Sequence, residues 1–117
     1  MKFESKEIDT DLVEITLVGR LDIQGTQAID MPFTSVTATR RAGVLVDMSG
    51  VNFIASIGIR TLLTNAKALA KHGGKMVLLN PAPMVFDVLT TSGVDHMIPI
   101  NDDYDSAVAD LRAALHS

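Results

Sequence analysis

The sequence predicts a single α/β domain over residues 1–117, a mixed sheet of about five strands with helices packed against it. Three observations carry this reading. The chain opens with two stretches of alternating polarity around a polar turn. Two short apolar runs follow later, of the kind that fill a buried sheet. Amphipathic helical stretches then alternate with these runs to the end of the chain. The implied order is β-β-α-β-α-β-α-β-α, antiparallel at the opening hairpin and parallel afterwards.

Residues 3–8 and 12–18 read as the two opening strands, joined through Asp9-Thr10. Val13, Ile15 and Leu17 share one face of the second strand, and Glu14 and Thr16 point the other way. Residues 25–41 carry Ile29, Phe33 and Val36 at helical spacing, with Arg40-Arg41 suited to a helix C-terminus. Pro32 lies inside that pattern and is expected to bend or shorten the helix. Val44-Leu45-Val46 fits a buried central strand.

Residues 56–72 form the strongest helical pattern. Ile59, Leu62, Leu63, Ala66, Leu69 and Ala70 make one stripe, Lys71 and His72 suit the negative end of the dipole, and Gly73-Gly74 supplies a left-handed cap. Residues 75–79 return as a strand, and 83–91 as a short helix with proline in its first turn and Gly93 beyond its end. Residues 97–100 suit an edge strand, because Pro99 cannot donate to a central ladder. The final helix, 101–115, is acidic at its start and carries Tyr104, Val108, Leu111 and Leu115 on its inner stripe.

Composition removes several classes of function. A net charge of -4, with Arg40-Arg41 the only adjacent basic pair, argues against nucleic-acid binding, which needs clustered cations. With no cysteine, the chain has no disulfide, thiolate metal site or cysteine nucleophile. His72, His96 and His116 are too scattered for a triad or metal site, and Asp102, Asp103 and Asp105 suit the start of a helix. Gly73-Gly74 lacks the surroundings of a phosphate loop. The expectation is a non-enzymatic protein with no cofactor. The chain opens without a secretory h-region and contains no membrane-length apolar run, so a cytoplasmic location without membrane insertion is expected.

The feature that points to function is Ser56, between the central strand and the strongest helix. A serine there is first a helix N-cap, and that role needs no further function. Three neighbours add to it. Ile54, Ile57 and Ile59 surround the serine; either at least one of them is partly exposed as an apolar docking spot, or all three are core. Gly58 costs a first-turn position about 1 kcal/mol relative to alanine, which implies a close backbone or partner approach, or an inherited constraint. The position also follows a parallel strand, where open α/β sheets place their sites. Phosphorylation there would add about 1.5 to 2 negative charges at a helix N-terminus that tolerates them. A partner packed on the isoleucines would not tolerate them.

At these residues the chain resembles the STAS family, in particular the bacterial anti-sigma factor antagonists. The resemblance runs through Gly19-Arg-Leu-Asp22, Val44-Leu-Val-Asp-Met-Ser-Gly-Val51, Phe53-Ile-Ala-Ser-Ile-Gly58, Gly73-Gly-Lys-Met-Val-Leu-Leu79 and Thr91-Ser-Gly-Val94. It implies the STAS fold and partner switching. The unphosphorylated antagonist binds an anti-sigma factor that is also a GHKL-type serine kinase. Phosphorylation ends binding, and a PP2C-type phosphatase resets the protein. By position Ser56 matches the phosphorylated serine, and Asp22 and Asp47 match acidic positions near it. Their alternative roles are an N-cap for the next segment and the end of a strand. The partner-binding set is then Asp22, Asp47, Ile54, Ile57, Gly58 and Ile59, on a monomer or weak dimer. Two positions depart from the family pattern: Ala55 stands where Asp is frequent, and Ile57 where a small or hydroxyl residue is frequent. A different class of function is a non-phosphorylated STAS accessory subunit, for example of a transporter.

Overall fold

A computed structural model describes residues 1–37 and 40–116. Strands β1 (Lys2–Asp9), β2 (Leu12–Leu21), β3 (Gly43–Ile54), β4 (Lys75–Leu79) and β5 (Ile100–Asn101) form one sheet in the order β1-β2-β3-β4-β5. The pair β1–β2 is antiparallel, and the remaining pairs are parallel. Helices α1 (Ile23–Thr37), α2 (Ser56–Lys71), α3 (Pro83–Thr91) and α4 (Tyr104–Leu115) make the crossovers and the closing element, with a 3₁₀ turn at Val94–His96. The element order is the predicted one.

The two faces of the sheet hold separate cores. Ile15, Leu17, Val44, Val46, Met76 and Leu78 pack beneath α1, α2 and α3. Leu12, Leu45, Val77 and Leu79 meet Ala107 and Leu111 of α4 on the other face. Period-two alternation within each strand produces this division. Val13, Ile15 and Leu17 are buried together, as their spacing predicts.

Several local expectations change. Helix α1 runs through Pro32 without a break. The predicted extension to Arg41 crosses residues 38 and 39, which lie outside the described residues. The last turn of α1 holds no basic residue; Arg40 instead reaches Glu7 and Asp11, at 3.3 and 3.6 Å. On α2 the buried stripe is Gly58, Leu62, Asn65 and Leu69, so Ala70 is exposed and a polar residue enters the core. Asn65 is satisfied there: its Oδ1 accepts from Thr37 Oγ1 at 2.6 Å and its Nδ2 donates to Thr61 O at 2.9 Å. The C-terminus of α2 behaves as predicted, with Gly73 at φ 80 and the Gly74 N–H donating to Leu69 O at 2.8 Å. The last strand begins after Pro99 and holds only two residues. Helix α4 starts at Tyr104, not at Asn101, and Asp103 caps it by accepting from Ser106 N at 2.9 Å. Tyr104 falls outside the buried stripe, its hydroxyl donating to Glu14 Oε1 at 3.3 Å.

Candidate functional site

The longest strand builds the site. Beyond its pairing with β4, which ends at Asp47↔Leu79, β3 continues alone alongside β2 to the pair Leu21↔Ile54. Two register shifts each place one extra residue on β3, first between Asp47 and Gly50 and then between Val51 and Phe53. The β2–β3 pair therefore projects past β4 and β5 as an arm. At its tip the Ala55 N–H donates to Leu21 O at 2.9 Å, and α1 and α2 leave from adjacent strand ends.

Ser56 is the first residue of α2 and is exposed. It is not the N-cap: Ala55 holds that position, in extended conformation, and among the described residues no side chain caps the helix. The first intrahelical bond runs from Ile59 N to Ala55 O at 3.1 Å, so the N–H groups of Ser56, Ile57 and Gly58 precede it at the positive end of the helix. A hydroxyl placed there stands next to backbone donors suited to an anion.

Asp22 follows Leu21 at the end of β2 but is already engaged. Its Oδ1 accepts from Gly25 N at 2.7 Å, capping α1, and its Oδ2 lies 3.5 Å from Arg20 Nε. The Gly25 N–H bond and then Arg20 hold the Asp22 carboxyl below the usual carboxylate range, against the opposing effect of burial. The capping role is thus the one its geometry gives. The structure does not bring Asp47 to this place. Asp47 sits in mid-strand, five β2 residues back along the ladder from the Leu21↔Ile54 pair, about 16 Å along an extended strand. Its Oδ1 accepts from Ser49 N at 3.0 Å at the first register shift.

The three isoleucines separate. Ile54 is core at 5% exposure, Ile59 is half-buried and packs on the core, and Ile57 is half-buried outside both core clusters. Gly58 is buried because the first turn of α2 lies directly on β2. A Cβ there would meet Leu21 Cβ at 3.0 Å, Ile54 Cγ1 at 3.1 Å and Leu21 O at 3.2 Å. The close approach is therefore within the chain.

Sequence reasoning missed three residues near the arm's tip. Ile23, the first residue of α1, is 61% exposed. Phe53 is partly exposed, with the Arg20 guanidinium carbon 4.3 Å from its ring centroid, a cation–π contact. The extra residue at the second register shift turns Phe53 outward, and nothing in the alternation of the sequence signals that shift. Arg60 is exposed one helical turn after Ser56, a spacing the sequence does contain.

The family model described as "STAS domain" matches residues 3–107. The chain belongs to the STAS family. Its relatives include BtrV of Bordetella bronchiseptica, provisionally named as an anti-sigma factor antagonist, 26% identical over 98% of both chains. The anti-sigma F factor antagonist of Lysinibacillus sphaericus is 25% identical over 80% of this chain and 81% of its own. Among solved structures, the anti-sigma factor antagonist SpoIIAA in its unphosphorylated form superposes with a TM-score of 0.80 at 22% identity, covering 96% of this chain and 97% of that one. The phosphorylated form of the Bacillus protein gives 0.71 at 21% identity, covering 93% and 98%. A sulfate transporter family protein from Wolinella succinogenes gives 0.75 at 14% identity, covering 96% and 93%. These structures share the fold with the chain.

Proposed function

We propose that this STAS protein is an anti-sigma factor antagonist working as a partner switch controlled by phosphorylation of Ser56. Unphosphorylated, it binds an anti-sigma factor that is also a GHKL-type serine kinase; phosphorylated, it is released, and a PP2C-type phosphatase restores it. It acts in the cytoplasm as a binding module without a cofactor. The observation that carries this reading is an exposed serine hydroxyl at the uncapped start of α2, beside the half-buried Ile57.

The physics of the switch is local. A phosphate on Ser56 adds about 1.5 to 2 negative charges at pH 7 and three acceptor oxygens. The uncapped amides of the first turn and the Arg60 cation compensate these charges within the chain, so the fold is retained. A partner packed on Ile57 has no such compensation, because the new charge must be desolvated in an apolar contact. Binding is lost while the domain stays folded.

Incubation with the GHKL kinase and ATP, followed by mass spectrometry, should place one phosphate on Ser56, and Ser56→Asp should abolish capture of the kinase. Absence of the phosphate, together with unchanged binding by Ser56→Asp, would overturn the reading. It would favour the alternative, a non-phosphorylated accessory subunit of a transporter or another signalling complex. The likeness to the transporter protein supports a shared fold only, and an accessory role leaves the uncapped hydroxyl without a use.

A further inference from the structure

The projecting β2–β3 arm leaves a second feature behind it, at the C-terminal ends of β4 and β5. A crevice of about 500 Å³ lies there, lined by Pro81, Pro83, Phe86 and Ile100 together with the polar Asn80, Asn101 and Asp102. Crevices at the carboxyl ends of parallel strands are the usual binding places of open α/β sheets, and this volume suits a few side chains or a small ligand. Its walls are pre-set. Asn80 takes a left-handed φ of 50, an uncommon conformation that asparagine accepts more readily than most residues. Two prolines follow within three positions and fix the backbone into α3. Phe86 is 42% exposed although its neighbours Val85 and Leu89 are buried, so an aromatic anchor stands half-open in a rigid pocket. A rigid wall reduces the ordering cost of binding.

Charge decides the occupant. Among the described residues, no Lys, Arg or His lines the crevice. Asp103 is committed to capping α4, but neither Asp102 nor Asp105 takes part in any ion pair among the described residues. An anionic ligand would meet Asp102 unopposed. A second copy of this chain would bring the same acidic rim and a net charge of -4. We propose that the β4–β5 crevice is a second docking surface, for a basic partner segment that inserts an apolar side chain against Phe86 and places Arg or Lys on Asp102. It shares no lining residue with the Ser56 site, so one partner is held here while the other site switches.

The probe is a hexapeptide of alternating leucine and arginine, titrated into the isotope-labelled full chain and followed by amide NMR. Shifts should concentrate at Phe86, Ile100 and Asp102 and leave Ser56 in place. Both Phe86→Ser and Asp102→Lys, which alter exposed side chains, should weaken binding about tenfold while the thermal midpoint stays near that of the parent. The proposal falls if the peptide produces no shifts at millimolar concentration or if a leucine–glutamate peptide binds equally well. It falls also if shifts scatter over the surface or centre on Ser56. Concentration-dependent crevice shifts without peptide would make a second copy the occupant and overturn it as well.

Discussion

Gly58 rests on Leu21: a Cβ at position 58 would come within 3.0 Å of Leu21 Cβ and 3.2 Å of its carbonyl oxygen. The same carbonyl accepts the Ala55 N–H at 2.9 Å, so Leu21 fixes both the entry and the first turn of α2. Gly58→Ala therefore sets two effects against each other. Helix propensity favours alanine by about 1 kcal/mol, while overpacking a tight contact costs about 1 to 3 kcal/mol. The expected outcome in urea unfolding is a net loss of about 1 kcal/mol; a gain in stability would show that α2 can move off β2 at little cost.

Capping of α1 gives a pH signature. The Asp22 carboxyl has its pKa lowered in the folded chain, so its contribution to stability is complete above its unfolded pKa, near about 4. That contribution is lost as pH falls through the lower folded value. Asp22→Ala should lower the thermal midpoint at pH 7, and the difference from the parent should shrink as the solution is acidified below that range. Asp22→Asn should retain much of the cap, since asparagine accepts the same Gly25 N–H bond. A difference independent of pH would separate the cap from the charge.

One buried contact between α1 and α2 is polar. Thr37 Oγ1 lies 2.6 Å from Asn65 Oδ1 and 2.9 Å from Phe33 O, with Thr37 and Asn65 both almost fully buried. Thr37→Val leaves the Asn65 amide oxygen without that donor, at a cost of about 1 to 3 kcal/mol. The double variant Thr37→Val/Asn65→Leu removes both partners and should recover part of the loss, although the Thr61 carbonyl then loses its Asn65 donor. Chemical denaturation of the three variants as a cycle measures the coupling.

The order of elements was readable because it rests on periodicity, which burial enforces: Ile15 and Leu17 of β2, and Leu62 and Leu69 of α2, are buried where their spacing predicts. What escaped the sequence depends on contacts distant along the chain. Ser49-Gly50 carries turn chemistry, yet β3 continues through it, because pairing with β2 absorbs an extra residue and Gly50 fits closely against Val18. That continuation carries Asp47 away from Ser56 and turns Phe53 outward. Asn65 is polar, so periodicity alone places it off the stripe; its partner Thr37 is 28 residues away. At the site, Ser56 and Ile57 were legible from local pattern. Local pattern points to Ser56 as the cap, one residue late, since Ala55 offers no side-chain signal.

Ile57 distinguishes surface from core. It is half-buried and belongs to neither core cluster, whereas Ile54, three residues earlier, is 5% exposed and packs within one. Ile57→Asp should leave the thermal midpoint within a few degrees of the parent and weaken kinase capture at least about tenfold. Ile54→Ala should cost about 2 to 5 kcal/mol as a buried deletion. A large destabilisation by Ile57→Asp would assign Ile57 to the core and remove it from the proposed contact.

Arg60 bears on how the phosphorylated state is held. It is exposed, and at four residues from Ser56 it lies one turn along the same helix face. Before phosphorylation it has no acidic residue at that spacing to gain from, so Arg60→Ala should change the unmodified protein by no more than about 0.5 kcal/mol. After phosphorylation it faces a dianionic group with three acceptor oxygens, and the i,i+4 pair becomes charge-assisted. The phosphorylated parent should therefore unfold at a midpoint above that of the unmodified chain, and phosphorylated Arg60→Ala should lose most of that gain. The same variant should raise the phosphate's second pKa, which phosphorus NMR reads directly as a function of pH. If that pKa is unchanged in Arg60→Ala, the first-turn amides of α2 hold the phosphate without the arginine.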